Sequence, residues 1–219
     1  MDSTLIIGPP RSGTTLCAAC VGAHPDIAMT SEDMYHGAKN AVGVKIWGNK
    51  LCVPNHITFG PIVDDRSLLK RLEDGVRAAI GRPRRLHGAT QTLPYPDPRT
   101  TTIRTYLDVH DATVFCLVRE PNPTIDSHKR RSRYNPTVRR SKNRWCNGIR
   151  EIHKTLSYAA ESTHVIQFSD LVQSPKTVLR AISEVLRGCI QTGNGCNLLS
   201  IRWVMAHKII ARLDSEVSS

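Results

Sequence analysis

The segment Gly8-Pro9-Pro10-Arg11-Ser12-Gly13-Thr14-Thr15 lies between a short apolar run and a helix-forming stretch. Ser3 to Gly8 is predicted as a strand, and Gly13 to Gly22 as the helix that follows it. A glycine-rich turn at such a junction points backbone N–H groups and the positive end of a helix at one spot, which suits a phosphate group. The segment therefore predicts an anion-binding βα turn, with an ordinary glycine-rich turn as the alternative.

The turn has the G-x-x-x-x-G spacing of a Walker loop, but Thr14 stands where that loop carries its lysine. Arg11 supplies a cation inside the turn instead. A guanidinium and two threonine hydroxyls can hold the 5′-phosphate of a nucleotide, and we expect no magnesium there. Cys17 and Cys20 have half of a zinc-site spacing without a second ligand pair, so no metal is expected at all.

Short apolar runs alternate with helical stretches along the chain, a pattern typical of βαβ units. We predict an α/β fold of three layers, a P-loop-type parallel sheet flanked by helices on both faces. The remaining predicted strands are Ala41 to Ile46, Ala112 to Val118 and His164 to Phe168. The remaining predicted helices are Asp64 or Asp65 to Ile80, one that begins near Pro121 and ends before a basic loop around Asn135 and Pro136, Val138 to Glu161, and Pro175 to Arg187, with a loop over 81–102.

The length of 219 residues, 40% of them apolar, fits one domain. Residues 188–197 are predicted as a linker and residues 198–213 as a C-terminal helix that packs back onto the domain. No stretch approaches the roughly 20 apolar residues of a membrane span, and Met1 to Thr4 has no basic flank of a targeting segment. We expect a soluble, cytoplasmic protein whose oligomeric state the sequence leaves open.

The formal net charge of +11 is concentrated in one segment. Eight Lys or Arg residues lie between Lys129 and Arg144, and no acid occurs from Ser127 to Arg150. This predicts a polyanionic ligand or acceptor, with a solvated basic loop and non-specific binding to nucleic-acid backbones as alternatives. Only Tyr134 and Trp145 could stack on bases within the segment, so no specific nucleic-acid partner is expected.

A second motif begins at Arg119, directly after the strongest predicted strand. Ser127 follows eight residues later and Arg131 twelve later, so these two share one face of the next helix. Ligands of parallel α/β sheets bind beyond the carboxyl ends of the strands, and guanidiniums suit phosphates. The motif predicts a second phosphate site, and an Arg119–Glu120 ion pair is the alternative.

With both motifs, the chain resembles the P-loop sulfotransferases that use 3′-phosphoadenosine 5′-phosphosulfate (PAPS). Pro10 to Leu16 is similar to their 5′-phosphosulfate loop, and Leu117 to Pro121 through Ser127 is similar to their 3′-phosphate strand and helix. Ala23 to Ile27 and Phe168 to Val172 with Pro175 also match, so the resemblance spans roughly residues 3 to 187. It implies transfer of the sulfuryl group of PAPS to a hydroxyl or amine acceptor, with 3′-phosphoadenosine 5′-phosphate (PAP) as the product.

The resemblance is closest to the branch of tyrosylprotein sulfotransferases and bacterial relatives, which have arginine in the loop. It implies that Glu32 is the general base and that Lys45, at the end of its predicted strand, lies near the transferred group. The alternatives are a capping or solvated Glu32, a surface Lys45, and His24 as the base. The implied cosubstrate-binding residues are Pro10, Arg11, Ser12, Gly13, Thr14, Thr15, Arg119, Ser127 and Arg131.

Two other functions stay open. A P-loop nucleotide kinase or phosphotransferase would need a loop lysine and a magnesium-binding acid, for which Val63-Asp64-Asp65 is the candidate. An inactive polyanion- or nucleic-acid-binding module is favoured by the basic segment, and the glycine-rich late loop that covers the nucleotide in some family members is not visible. The charge suggests an anionic saccharide, lipid or peptide as acceptor, while hydroxylated metabolites remain open.

Overall fold

The computed structural model describes residues 2–33, 40–60, 102–131 and 136–192. Within them, five strands form one parallel sheet: β1 (Asp2–Gly8), β2 (Ile27–Ser31), β3 (Ile46–Cys52), β4 (Thr113–Val118) and β5 (Thr163–Gln167). Their spatial order is β2-β3-β1-β4-β5. The central strand β1 pairs with β3 on one side and β4 on the other, so its end is enclosed by the ends of both neighbours.

Six helices accompany this sheet in the described part of the chain. They are α1 (Thr14–Gly22), α2 (Ile103–His110), α3 (Pro121–Arg131), α4 (Val138–Tyr158), α5 (Phe168–Gln173) and α6 (Pro175–Thr192). None of the described helices is both long and apolar enough to cross a membrane.

Two apolar clusters, one on each face of the sheet, hold the helices in place. Side chains of a strand alternate between its faces, and Leu5 and Ile7 accordingly lie in one cluster while Ile6 lies in the other. The first cluster packs against α2 and α4 and the second against α1, α5 and α6. The predicted α/β fold with helices on both faces is confirmed.

Several predicted elements are observed with small shifts. The strand predicted at Ala112 to Val118 is β4, the helix predicted from Pro121 is α3, and the long helix predicted from Val138 is α4, which ends at Tyr158. These elements carry continuous apolar runs or clear start signals, so local sequence is enough to locate them.

The prediction of a strand over Ala41 to Ile46 is wrong, because β3 begins at Ile46 and runs to Cys52. All seven residues of β3 are buried, including Asn49 and Lys50, whose polar side chains break the apolar pattern. Asn49 Nδ2 donates to the Asp33 carbonyl, and Lys50 Nζ donates to Glu32. Both partners follow β2, a strand that was not predicted.

Two helices, α2 and α5, were not predicted, and the predicted linker starts too early because α6 extends to Thr192. The predicted helix from Asp64 or Asp65 to Ile80, almost all of the 81–102 loop, and the tail helix over 198–213 lie outside the described residues.

Candidate active site

The glycine-rich segment Gly8 to Thr15 connects β1 to α1, as predicted. Both the amide and the hydroxyl of Ser12 donate to the Pro9 carbonyl, at 3.1 and 2.7 Å, which closes the turn. Arg11 has φ of 72° and Gly13 has φ of 93°, both in the left-handed region. Gly13 is the N-cap of α1 and gives no side-chain cap, so first-turn N–H groups of α1 are open to an external acceptor.

The three hydroxyl residues of the loop have different surroundings. Ser12 is fully buried, and its hydroxyl is used inside the turn. Thr14 is buried, and its methyl group lies against Gly8 at the end of β1. Thr15 is exposed. The loop therefore uses Ser12 and Thr14 for its own shape and presents Thr15, with the amides, to solvent.

The two predicted phosphate motifs meet at Arg11. Its Nε donates to the Ser127 hydroxyl of α3 at 3.2 Å, across the gap between the loop and the second motif. Arg119, directly after β4, donates from Nη1 to the Arg11 carbonyl at 3.3 Å. Arg131 is the last residue of α3, and its side chain lies outside the description. Arg11, Ser127 and Arg119 thus border a single region beyond the carboxyl ends of β1 and β4.

Aromatic residues fix the position of Arg119. Its guanidinium lies 4.5 Å from the ring centroid of Phe168, the first residue of α5, and the Trp145 indole donates to the Arg119 carbonyl at 3.0 Å. The same Phe168 ring packs against Gly13, where a Cβ atom would overlap it. The alternative prediction, an ion pair of Arg119 with Glu120, is not found in the described part of the chain.

Positive charge around the site is not neutralised by the acids that the structure describes. Among residues 2–33, 40–60, 102–131 and 136–192, no carboxylate lies within 4.0 Å of the guanidinium of Arg11, Arg119, Arg140 or Arg144. The pKa of His128 on α3 is lowered, first by burial and then by the charges of Arg144, Arg11 and Arg140. Such a concentration of unpaired cations attracts an anion.

Glu32 follows β2 and lies in a cluster of side chains from β3 and the turn after it. Lys50 Nζ donates to Glu32 Oε1 at 2.6 Å, His56 Nε2 lies 3.6 Å from Oε2, and Cys52 Sγ lies 3.6 Å from Oε1. The Lys50 side chain is 2% exposed, whereas that of Glu32 is 44% exposed. Glu32 also has a left-handed φ of 59°. The buried cation holds a carboxylate that remains open to solvent.

The pKa of Glu32 is lowered. Burial alone would raise it, but the Lys50 hydrogen bond and the charges of His56 and Lys50 outweigh burial. Strand register places this cluster beside the loop, because Cys52 pairs with Gly8 and the Val53 amide donates to the Gly8 carbonyl at 3.0 Å. Glu32 is therefore an ionised carboxylate in contact with Cys52, the residue that pairs with Gly8 at the start of the loop.

The same cluster offers three metal-binding atom types. Ligand atoms of Glu32, Cys52 and His56 lie within 4.8 Å of one another. However, His56 Nδ1 accepts the Cys52 amide at 3.1 Å, so a neutral His56 carries its hydrogen on Nε2, the atom that faces Glu32. The ammonium of Lys50 already contacts the carboxylate. The arrangement favours proton transfer over metal binding.

Lys45 lies at the opposite end of the sheet from the loop, which corrects its predicted place at the end of a strand. It precedes β3, whose first residue pairs with Asp2 at the start of β1. A seven-residue strand separates it from the loop edge by roughly 20 Å. Its Nζ forms an ion pair with Asp26 at 2.9 Å, and the side chain is 60% exposed. Lys50, which the sequence analysis did not single out, is the lysine that contacts Glu32, and a lysine inside a buried strand is the signal for it.

His24 also lies far from the loop, between α1 and β2. Its Nδ1 accepts the Asp26 amide at 3.2 Å, and the residue is exposed. This contact organises the turn before β2 and leaves Glu32 as the carboxylate beside the loop.

Comparison with known proteins gives one solved structure to describe. No protein-family model matches the chain, and no curated protein matches it. A crystal structure of a sulfotransferase from Alicyclobacillus acidocaldarius is similar over 100% of this chain and 93% of that chain, with 13% sequence identity and a TM-score of 0.49. Similarity at this level is not evidence of a shared activity.

Proposed function

We propose that this chain is a PAPS-dependent sulfotransferase. The observation that carries the proposal is the contact of Arg11 with Ser127 at 3.2 Å, together with that of Arg119 with the Arg11 carbonyl at 3.3 Å. One loop for a 5′-phosphate and one strand end for a 3′-phosphate thereby border the same region. A nucleotide that carries phosphates at both positions matches this pair of sites, and unpaired guanidiniums favour its charge.

The 5′-phosphosulfate is assigned to the loop. Its oxygens accept from the first-turn amides of α1, from Thr15 and from Arg11, while Ser12, Gly13 and Thr14 give the loop its shape. The 3′-phosphate is assigned to Arg119 and Ser127, with Arg131 as a further ligand by its position on α3. No metal has a role in this assignment.

Glu32 is assigned as the general base. The acceptor oxygen attacks sulfur, the bond from sulfur to the 5′-phosphate oxygen breaks, PAP leaves, and the acceptor proton passes to the Glu32 carboxylate. Lys50 replaces Lys45 as the cation of this step, because its ammonium fixes the orientation of Glu32 and keeps it ionised. His56 Nε2 supports the second carboxylate oxygen.

Calorimetry tests the nucleotide site directly. PAP is titrated into the full chain beside adenosine 5′-phosphate (AMP), which lacks the 3′-phosphate. We expect PAP to bind at least about tenfold more tightly, since charge-assisted hydrogen bonds to the added phosphate contribute about 1.5–3 kcal/mol. Equal affinities would contradict the proposed 3′-phosphate site.

Transfer of labelled sulfate from PAPS in excess EDTA tests the reaction. Activity that survives chelation supports metal-free sulfuryl transfer. ATP-dependent phosphoryl transfer that EDTA abolishes would instead favour the nucleotide kinase, although its candidate acid, Val63-Asp64-Asp65, lies outside the described residues. Running the transfer assay over saccharide, lipid and peptide acceptors identifies the acceptor class.

A polyanion-binding module is the second candidate, and one further feature favours it. A pocket of about 440 Å³ lies on α4, and its described lining includes Arg139, Lys142 and Arg150. Reversing the charges of these three residues separates the two functions. If the reversal abolishes ligand retention and an Arg11 substitution does not, the module is the better description; under the sulfotransferase proposal this pocket serves an anionic acceptor.

A further inference from the structure

Next to Ser127, the side chain of His128 joins α3 to α4 through two hydrogen bonds. His128 Nδ1 lies 2.9 Å from the Ser141 hydroxyl, and His128 Nε2 lies 3.0 Å from Arg144 Nη1. Ser141 is buried, and His128 and Arg144 are half-buried. Neither histidine nitrogen is therefore left without a partner.

These contacts define the protonation of His128. A guanidinium has donors only, so Nε2 must accept from Arg144. Nδ1 then carries the hydrogen and donates it to the Ser141 hydroxyl. Among the described residues, the charges that act on the ring belong to guanidiniums, those of Arg144 and Arg140 from α4 and that of Arg11 from the loop. The imidazole is accordingly neutral and acts as a fixed acceptor for Arg144.

Arg144 lacks a counter-ion in the described part of the chain, where its hydrogen-bond partner is the neutral imidazole. Arg140 lies one helical turn before it, and like charges at this spacing destabilise a helix. Burial and the Arg140 charge lower the pKa of Arg144. A half-buried guanidinium that the fold holds without an acid has donors left for an external anion.

We propose that Arg144 is a further ligand of the nucleotide 3′-phosphate and that neutral His128 is the positioning residue that holds it. The proposal rests on the proposed function, because Ser127, the residue before His128, contacts Arg11 of the loop. The charge of Arg11 also acts on the His128 ring, so the ring that contacts Arg144 lies near the loop as well as next to Ser127 in α3. The additional cation comes from the basic segment, whose charge the described acids do not neutralise.

The test compares PAP and AMP affinities by calorimetry in four single variants and one double variant. Arg144→Gln is expected to weaken PAP binding about tenfold to a hundredfold, as for loss of a charge-assisted hydrogen bond, and to change AMP binding less than about twofold. Lys154→Gln is the matched control: it removes an exposed charge from the same helix, whose ammonium contacts Glu151, and should leave PAP binding within about twofold.

Two histidine variants distinguish positioning from packing. His128→Gln keeps an acceptor near Nε2 and should retain PAP affinity within about threefold. His128→Asn removes that acceptor, and its loss of PAP affinity should approach that of Arg144→Gln. A chain with both His128→Asn and Arg144→Gln should lose little more, because the two substitutions break the same contact. Thermal unfolding of each variant checks that the fold is retained.

The outcomes separate the two proposals. If PAP binds more tightly than AMP and Arg144→Gln leaves this preference unchanged, Arg144 is not a ligand and the proposed function stands. If Arg144→Gln weakens PAP and AMP equally, its role is structural and the inference is overturned. If the parent chain shows no preference for PAP, both proposals fail together.

Discussion

The Arg119 guanidinium donates a hydrogen bond to the main-chain carbonyl of Arg11, with 3.3 Å between Nη1 and O. The acceptor residue has a left-handed backbone, so the end of β4 helps to hold the loop after β1 in this conformation. Because β1 and β4 are neighbours in the sheet, the Arg119 guanidinium both holds the shape of the loop and places a positive charge beside it. This hydrogen bond links the conformation of the loop to a cation that we propose as an anion ligand.

Arg11→Gly is expected to separate stability from binding. Glycine adopts a φ of 72° without strain, so relief of a cost of about 1–2 kcal/mol offsets the extra chain entropy of glycine. The free energy of unfolding should change by less than about 1 kcal/mol, while PAP affinity falls at least about tenfold. Chemical denaturation and calorimetry measure the two quantities.

Asp111→Gly provides the control for Arg11→Gly. Asp111 also has a positive φ, of 46°, but it caps α2 away from the loop. The substitution should leave PAP affinity unaltered. Unchanged PAP binding in Arg11→Gly would show that the guanidinium is not a ligand.

Gly13→Ala is expected to disrupt the loop. Its φ of 93° is unfavourable for alanine, and the added Cβ would overlap the Phe168 ring. We expect a loss of about 2–4 kcal/mol in the free energy of unfolding and a matching loss of PAP affinity. Adding Phe168→Leu should recover only the packing part. Gly60→Ala, whose new Cβ has no atom of a described residue within 4 Å, should be tolerated. A Gly13→Ala chain as stable as Gly60→Ala would contradict this packing.

Local signals were enough to predict the loop, β4 and the start of α3. The glycines and hydroxyls of residues 8–15, the continuous apolar run before Arg119 and Pro121 at a helix start each act within a few residues. Convergence of Arg11 and Arg119 follows from the parallel sheet, since neighbouring strands end at the same edge.

The cluster around Glu32 was only partly predictable. Glu32 was expected from the resemblance, but its partner depends on the pairing of β2 with β3, which places Ser31 opposite Lys50. Spacing along the chain does not reveal that register. The predicted strand ended at Ile46, where β3 begins, and Lys45 was singled out from the resemblance, whereas the lysine that contacts Glu32 is Lys50, within β3.

Lys50 and Glu32 should respond unequally to removal of their charges. Lys50→Met takes away a buried cation and leaves a carboxylate that water can reach, so the free energy of unfolding should fall by less than about 1 kcal/mol or rise. Glu32→Gln leaves the Lys50 ammonium buried without a described carboxylate partner and should cost about 1–3 kcal/mol. Chemical denaturation measures the loss in the free energy of unfolding of each variant. Equal losses would contradict a buried Lys50 whose described carboxylate partner is Glu32.

The free energy of unfolding that is lost in Glu32→Gln should depend on pH in a defined direction. The folded pKa of Glu32 is lowered, so its contribution is present above its unfolded value of about 4.3 and is lost as pH falls through the folded pKa. The difference in unfolding free energy between the parent chain and Glu32→Gln should therefore shrink on acidification. Glu161→Gln, at an exposed acid in the turn before β5, should show no such trend.

The rate of sulfuryl transfer should depend on the ionisation of Glu32. A base must be ionised to accept the acceptor proton, so single-turnover rates should stay level from neutral pH down to below the usual glutamate range, because the pKa of Glu32 is lowered. In Lys50→Met, which lacks the hydrogen bond and charge that lower this pKa, the fall in rate should begin at higher pH.

Glu32→Gln should lose at least about a hundredfold in rate while PAP affinity stays within about threefold, as expected when general-base catalysis alone is removed. A Glu32→Gln chain that transfers sulfate at the parent rate would exclude Glu32 as the base, and an unshifted profile in Lys50→Met would exclude Lys50 as the residue that tunes it.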